Sequence, residues 1–507
     1  MADQVVIGVD VGTTATKVVA YRPDGTEVTD AVREYPLDTP HAGWAEQDPD
    51  KVTDAVVDAL SEVVAHVTSA TVAAVGLSTV MHSLIGLDDD GRPLTPIVTF
   101  ADSRAWPQAL RLRRDHGLRL YHATGTPLHP MAPLAKLVWF SEQRPDLADR
   151  VRRWVSIKEY LLRRLCDSDV VDHSVASATG LLDLQTLEWS ADALAAAGVD
   201  AEQLGRPVPT TTVAGDLVPA TAEQLGLDPA TPVVVGASDG VLANLGVGAV
   251  EPGVAAVTIG TSGAIRVTEP EPRTDSDMRT FCYALTDRHW VLGGAISNGG
   301  LVLRWIDDLF GGGDYDELTA AAADVPAGSD GVLMLPYLTG ERAPQWSPLR
   351  GGVLFGLRVE HERGHVVRAA LEGVALQLRL VADALRDTGT AGFDRVRVTG
   401  GFVSSDLWLQ IVADVLRADL EVPVAAEGAA WGAAMLALQA VGEIDDLADG
   451  AGQVRVERTV AHDADTAGRY DAVAERYADL VDHTAPLLRE AATASPSSGG
   501  GESRPPR

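Results

Sequence analysis

Val9-Asp10-Val11-Gly12-Thr13-Thr14 returns, 248 residues further on, as Val257-Thr258-Ile259-Gly260-Thr261-Ser262. Each copy is a β-branched run, a Gly-Thr-hydroxyl turn and a further stretch rich in β-branched residues, Lys17–Ala20 in the first and Ile265–Thr268 in the second. β-Branched residues favour strands and Gly-Thr steps favour tight turns, so each copy reads as a hairpin. Two unrelated hairpins would give the same pattern. An offset of about half of the chain predicts instead two similar domains, each offering a turn rich in N–H and hydroxyl groups to a shared anion. The copies differ at one place, where Asp10 is replaced by Thr258. A carboxylate beside a phosphate-binding turn suits Mg²⁺, which keeps several waters and uses few protein carboxylates.

Outward from these turns the punctuation is α/β. Asp48-Pro49-Asp50 supplies helix-start chemistry, and behind it Val52, Val56, Leu60, Val63, Val64 and Val67 recur at helical spacing. Strand-like runs follow at Val72–Leu77, Ser83–Leu87 and Ile97–Phe100. Strands alternating with helices predict a parallel or mixed sheet covered by helices. Ser495 to Arg507, rich in Ser, Gly and Pro, has nothing to bury and reads as disordered.

The chain has 507 residues, a formal net charge of −31 and 46% hydrophobic residues. It can therefore build sizeable cores, and it lacks the basic surplus that nucleic acid or an anionic membrane requires. Cys166 and Cys282 show no disulfide framework and no metal-ligand spacing, so a reducing compartment, the cytoplasm, is expected. The run Val5–Val11 is too short for a signal peptide or a membrane span.

Several familiar motifs compete. No GxxxxGK[ST] phosphate loop and no protein-kinase motif set is present. His361-Glu362-Arg363-Gly364-His365 fits HExxH, but the apolar periodicity begins only after His365. His361 and Glu362 are therefore expected at or before a helix start, which a zinc protease does not allow. Gly236-Ala237-Ser238-Asp239-Gly240 fits GxSxG between a strand and an apolar stretch, the setting of a hydrolase nucleophile. A serine hydrolase using Ser238 is a real alternative, with His289, His361, His365, His462 or His483 as its base. A second use of the same turn has Asp239 accept the proton of a substrate hydroxyl as it attacks a phosphoryl group. A third reading makes Asp239 a helix cap.

Two longer patterns decide among these. Met131-Ala132-Pro133-Leu134-Ala135-Lys136-Leu137-Val138-Trp139-Phe140-Ser141-Glu142-Gln143 matches the first signature of the FGGY carbohydrate kinases. Gly352-Val353-Leu354-Phe355-Gly356-Leu357, followed after seven residues by His365-Val366-Val367-Arg368-Ala369-Ala370-Leu371-Glu372, matches the second. Over roughly residues 5 to 440 the chain resembles that family, whose fold is shared by hexokinase and actin. The resemblance implies two actin-like (ribonuclease H-like) domains with a cleft between them, expected at 1–245 and 246–490, with 491–507 as a disordered tail. It implies phosphorylation of a sugar or polyol hydroxyl by ATP with Mg²⁺. Gly12, Thr13, Thr14 and Lys17 would form the first phosphate turn, and Gly260, Thr261 and Ser262 the second. Gly300, Gly400, Gly401 and Ser405 would complete the nucleotide site. Asp10 would be the magnesium-associated carboxylate and Asp239 the general base, also close to the metal, leaving Ser238 structural.

For the acceptor, Met81-His82 lies where the family's sugar-contacting pair lies, and Phe100 replaces a frequent Trp in the pocket wall. Arg104 offers either a bidentate partner for a carboxylate or an ion pair with Asp102. Trp44 is either a sugar-site wall or a buried anchor. Thr124–Met131 and Gly340-Glu341-Arg342-Ala343-Pro344 resemble the gluconate-kinase branch, with Met131 expected at the substrate. The xylulokinases share Met-His and are the competing branch. A non-catalytic sugar sensor on the same fold is disfavoured, because a pure binder needs no base. The expected partners are a sugar acid and ATP, with no nucleic acid or membrane, and the chain acting as a monomer or homodimer.

Overall fold

The computed structural model describes residues 4–312, 315–347, 351–424 and 428–494. The first half of the chain contains strands β1 (Gln4–Val11), β2 (Ala15–Tyr21) and β3 (Glu27–Glu34), helix α1 (Pro49–His66) and strand β4 (Thr71–Thr79). Helices α2 (Pro133–Gln143) and α3 (Ile157–Cys166), strand β5 (Val233–Ser238) and helix α4 (Asp239–Gly246) follow. The second half begins with strands β6 (Gly253–Ile259), β7 (Gly263–Glu269), β8 (Phe281–Thr286) and β9 (His289–Ile296), then helices α5 (Gly300–Leu309) and α6 (Arg363–Asp387). It ends with strand β10 (Phe393–Thr399), helix α7 (Asp406–Leu416), strand β11 (Asp419–Pro423), helix α8 (Gly428–Ala440), strand β12 (Val456–Val460) and helix α9 (Ala464–Ala494).

The internal echo is an echo of topology. The first sheet has the order β5-β4-β1-β2-β3, and the second has β8-β9-β7-β6-β10-β11-β12. In both, the strand before the Gly-Thr turn pairs antiparallel with the strand after it and parallel with a later strand across a helical crossover. Asp48 caps α1 as its chemistry predicts, accepting from the amides of Asp50 and Lys51, and Val52, Val56, Leu60, Val63 and Val64 are buried beneath it. Fully burying each such side chain stabilises the fold by about 1.5–3 kcal/mol.

The runs near Ser83 and Ile97 form only the short strands Ile85–Leu87 and Ile97–Val98, outside the two large sheets. They belong to an inserted region with its own aromatic core of Tyr121, Trp139, Phe140 and Trp154. Helix α8, late in the sequence, lies on the first sheet. A Cβ at Gly8 would stand 2.0 Å from the carbonyl oxygen of Ala430, and one at Gly76 2.1 Å from that of Ala433. Only glycine permits that approach, which couples the two halves through one continuous core. Helix α9 runs to Ala494, four residues into the expected tail, because the Ala-rich run at 491–494 continues a good helix former. Residues 495–507 lie outside the described residues. Among the described residues no helix is long and apolar enough to cross a membrane.

Candidate active site

The first turn is held from below by its carbonyls. Gly12 O accepts from the Tyr35 hydroxyl at 2.8 Å, Thr13 O from Gln47 Nε2 at 2.7 Å, and Thr14 O from the Tyr35 amide at 3.0 Å. With the carbonyls committed, the Thr13 and Thr14 amides donate to no described residue and are free for an anion. Asp10, at the end of β1, accepts at 2.7 Å from the hydroxyl of Ser78, its register partner on β4. Lys17 faces Asp10 across the hairpin and pairs with Asp30 at 3.6 Å.

The second turn is supported in the same way by different parts. Gly260 O accepts from the amide of Gly300 at 2.7 Å, and Thr261 O from the amides of Gly299 and Leu301 at 3.0 and 3.3 Å. The start of α5 is thus seated under the turn, and a Cβ at Gly299 would stand 2.6 Å from Ser262 O. Gly300, expected at the nucleotide, serves this seat with its amide. Thr258 bonds the hydroxyl of Thr399, its register partner on β10, at 3.0 Å. Gly400, with φ +99°, follows directly, and its missing Cβ would meet Ile259 O at 2.4 Å. Gly401 borders open space. Ser405 caps α7, accepting from the Trp408 amide at 3.3 Å.

Asp239 stands at the end of β5, where the strand bulges against β4. Gly236 adopts φ +65° there, and a side chain on it would collide with Leu77 O at 1.8 Å. The bulge sends Ser238 inward and leaves Asp239 partly exposed at the start of α4. Ser238 is fully buried, with its hydroxyl 2.9 Å from that of Ser174 and no histidine among its partners, which removes the hydrolase reading. The Asp239 carboxylate accepts from the Gly240 amide at 2.7 Å. Burial raises its pKa above the usual range, against the lowering effects of the Gly240 and Met81 amides and of Arg266 and Lys158. The fully buried Lys158 pairs with Asp172 at 3.0 Å and donates to Ala237 O at 2.7 Å, fixing the strand end that carries Asp239.

Burial, then the charges of Asp10 and Asp239, push the Tyr35 phenol upward, so both carboxylates act on one group. Among the described residues no cluster of three or more His, Cys, Asp or Glu side chains forms a protein cage for a metal. Asp10 beside the first Gly-Thr turn and Asp239 at the end of β5 are a sparse carboxylate pair, a donor set that fits water-rich Mg²⁺ and not a zinc site. The HExxH residues have other work. Glu362 and His365 form a capping box at the start of α6, and the Nδ1 atoms of His361 and His365 accept backbone amides at 3.0 Å.

The residues expected at the acceptor meet side chains from both halves of the chain. His82, at φ +67°, places Nδ1 2.7 Å from Ala178 O and Nε2 3.4 Å from the Tyr283 hydroxyl. Burial, helped by the Lys136 charge, pushes it down to about 3, so it is neutral. Lys136, from the first signature, is buried and donates to the carbonyls of His82, Val98 and Thr99 at 2.5, 3.1 and 2.8 Å. That residue ties the Met81-His82 loop to the Ile97–Phe100 segment. Met131 is buried, its amide donating to His129 Nδ1 at 3.2 Å. The Phe100 ring lies 5.8 Å from the Arg342 guanidinium. Arg104 is not available to a ligand. Its side chain, 4% exposed, is held by Asp102 at 2.7 Å and Glu46 at 2.6 Å and stacks 3.5 Å over Trp44. The local ion pair wins because Asp102 is only two residues away, and Trp44 is a structural anchor packed edge-on to Trp139.

Arg266 and Tyr283 were not singled out by the sequence, and Arg342 entered only as part of the Gly340–Pro344 motif, with no role of its own. Arg342 is braced by Glu341, which accepts from the amides of Ser297 and Arg342 and from Asn298. Arg266 reads as an ordinary outward residue of a strand, and only the packing of β7 against α4 brings it to Asp239.

Residues 5–246 match the N-terminal domain of the FGGY family of carbohydrate kinases, and residues 255–441 match its C-terminal domain. The chain is 43% identical over 453 residues to the gluconokinase of Bacillus subtilis, covering 87% of this chain and 88% of that one. It is 30% identical over 490 residues to the xylulose kinase of Escherichia coli, covering 95% and 99%. The crystal structure of a gluconate kinase from Lactobacillus acidophilus superposes with a TM-score of 0.92 at 33% identity, over 96% of this chain and 99% of that one. A ligand-bound xylulose kinase from the same organism gives 0.93 at 33%, with the same coverage. The chain belongs to the FGGY family of carbohydrate kinases.

Proposed function

We propose that this carbohydrate kinase is a gluconokinase, converting D-gluconate and ATP to 6-phospho-D-gluconate and ADP. The observation that carries the acceptor is the greater identity to a gluconokinase than to a xylulose kinase over most of the chain. Backbone similarity does not separate the two branches, since both solved neighbours superpose equally well. A ketopentose acceptor is therefore the second reading, and it would use the same base and turns.

In the proposed reaction Asp239 accepts the proton of the primary hydroxyl as that oxygen attacks the γ-phosphorus, and the bond to the ADP oxygen breaks in line. A carboxylate whose pKa is raised by burial is a stronger base than a free one. Gly12, Thr13 and Thr14, with Lys17 nearby, and Gly260, Thr261 and Ser262 stabilise the phosphates with amides and hydroxyls, so catalysis is positioning and electrostatics. Gly400 and Gly401 leave room for the adenosine, with Ser405 at the helix start beyond them. Asp10, oriented by Ser78, and Asp239 would hold Mg²⁺ through its waters, and the ion would neutralise phosphate charge. Met81, His82, Phe100 and Met131 shape the acceptor pocket. Closure of the two halves would exclude water as a competing acceptor. We place the reaction in the cytoplasm, carried out by a monomer or homodimer.

The test is ADP release measured with D-gluconate, D-xylulose, D-ribulose and glycerol at equal concentration. The highest kcat/KM is expected for gluconate. Preference for a ketopentose would refute the acceptor assignment, and no acceptor-stimulated ADP would refute the kinase mechanism.

A further inference from the structure

We infer that Arg266 is the residue that selects an acidic acceptor, by receiving the carboxylate of the sugar acid in the pocket beside Asp239. The inference rests on the gluconate reading and names the group that would enforce it. Among the described residues the Arg266 guanidinium makes no hydrogen bond or ion pair, and its Nε is buried without any partner. A buried arginine donor left unmatched is rare in folded proteins and costly, which points to a partner outside the chain.

The surroundings are built to keep it there. Arg266 lies on β7 in register with Gly293 of β9, where a Cβ would stand 2.9 Å from the Arg266 stem. Gly240 is the matching absence on α4, since a Cβ there would meet Arg266 Nη2 at 3.2 Å and Met81 Cε at 2.8 Å. The guanidinium thus shares a wall with the acceptor-pocket methionine and the proposed base. The charge balance is also short of an anion. Arg342 reinforces the positive field at Arg266, and among the described residues the carboxylate acting on Arg266 is that of Asp239. Glu341 is committed to the amides of Ser297 and Arg342 and to Asn298. His82 and His129 are held neutral by burial and contribute nothing further. Arg342 already donates to Ile296 O at 2.9 Å and faces Glu341, so a neutral sugar leaves only the Arg266 guanidinium without a hydrogen-bonding anion, whereas a carboxylate satisfies it with charge-assisted hydrogen bonds.

D-Gluconamide keeps the length and hydroxyls of gluconate and removes only the charge. In the wild-type enzyme kcat/KM for gluconate should exceed that for gluconamide by about 10–100-fold, the usual worth of a charge-assisted contact. In Arg266→Met that ratio should fall toward 1, and Arg266→Lys, which keeps charge and most of the stem, should retain part of it. Intrinsic tryptophan fluorescence, titrated with gluconate alone, reports the same loss as weakened binding without ATP. A wild-type ratio near 1, or a ratio unmoved by either substitution, overturns the inference. Equal losses on both acceptors with a raised KM for ATP also overturn it, by assigning Arg266 to the transferring phosphoryl group. A wild-type enzyme that prefers xylulose refutes the gluconate reading itself. A gluconate-preferring enzyme with an unmoved ratio refutes only the role of Arg266.

Discussion

Asp10 and Thr258 occupy the same place in two copies of one motif, and their neighbours differ in chemistry. Asp10 at the end of β1 is bonded by Ser78 on the parallel strand beside it, and Thr258 at the end of β6 is bonded by Thr399 on the equivalent strand. The backbone plan is duplicated, while the chemistry is not. Beyond Ser78 the first half continues into Met81-His82 and the proposed acceptor pocket, and its last strand leads into Asp239. Beyond Thr399 the second half continues into Gly400-Gly401, where absent side chains leave space. The half with carboxylates is suited to metal and proton transfer, and the half with hydroxyls and glycines is suited to holding a nucleotide. Both turns commit carbonyls to protein donors, which fixes their backbones for the proposed grip on a shared anion.

The division of labour can be broken most severely at Asp239. Asp239→Asn should lower kcat by roughly 10²–10⁴, the usual worth of a general base, with KM for ATP little changed. Burial raises the Asp239 pKa, so wild-type kcat/KM should fall on acidification at a pH above the ordinary aspartate range, as the base becomes protonated. A kcat within a few-fold of wild type would remove the base from the mechanism.

Exchanging the echo residues sharpens the contrast further. Asp10→Thr makes the first copy resemble the second and should weaken activation by Mg²⁺ by about 10–100-fold, read as the metal concentration for half-maximal rate. The reciprocal Thr258→Asp should have a smaller and different effect. A carboxylate there repels the phosphates by about 1 kcal/mol under solvent screening, raising KM for ATP about five-fold and leaving the metal requirement in place. If both exchanges shift the same parameter equally, the two halves are not specialised as described.

The turns and their pairing were legible in the sequence because strand, turn and strand are local patterns with local physics. The start of α6 was legible for the same reason, which disposed of the HExxH pattern. Arg104 was harder to read: a charged residue in a pocket segment is ambiguous until its neighbours are known, and Asp102 and Glu46 already saturate it. Gly300 was expected at the nucleotide, and its further part as the seat of α5, with its amide on Gly260 O, depends on where a helix axis lies and was not legible. Arg266 was not legible at all. An alternating strand accommodates one polar residue without comment, and its meaning comes from Gly240 and Gly293, which are distant in sequence and adjacent only after folding. The packing of α8 on Gly8 and Gly76 was hidden for the same reason.

The central claim is transfer of a phosphoryl group from ATP to the primary hydroxyl of gluconate in a site that excludes water. A ³¹P spectrum of the enzyme with Mg·ATP and D-gluconate tests it directly. The expected result is one new phosphomonoester resonance, split by the two C6 protons and growing in step with ADP. Inorganic phosphate as the only new species, or a phosphomonoester on another carbon, would contradict it.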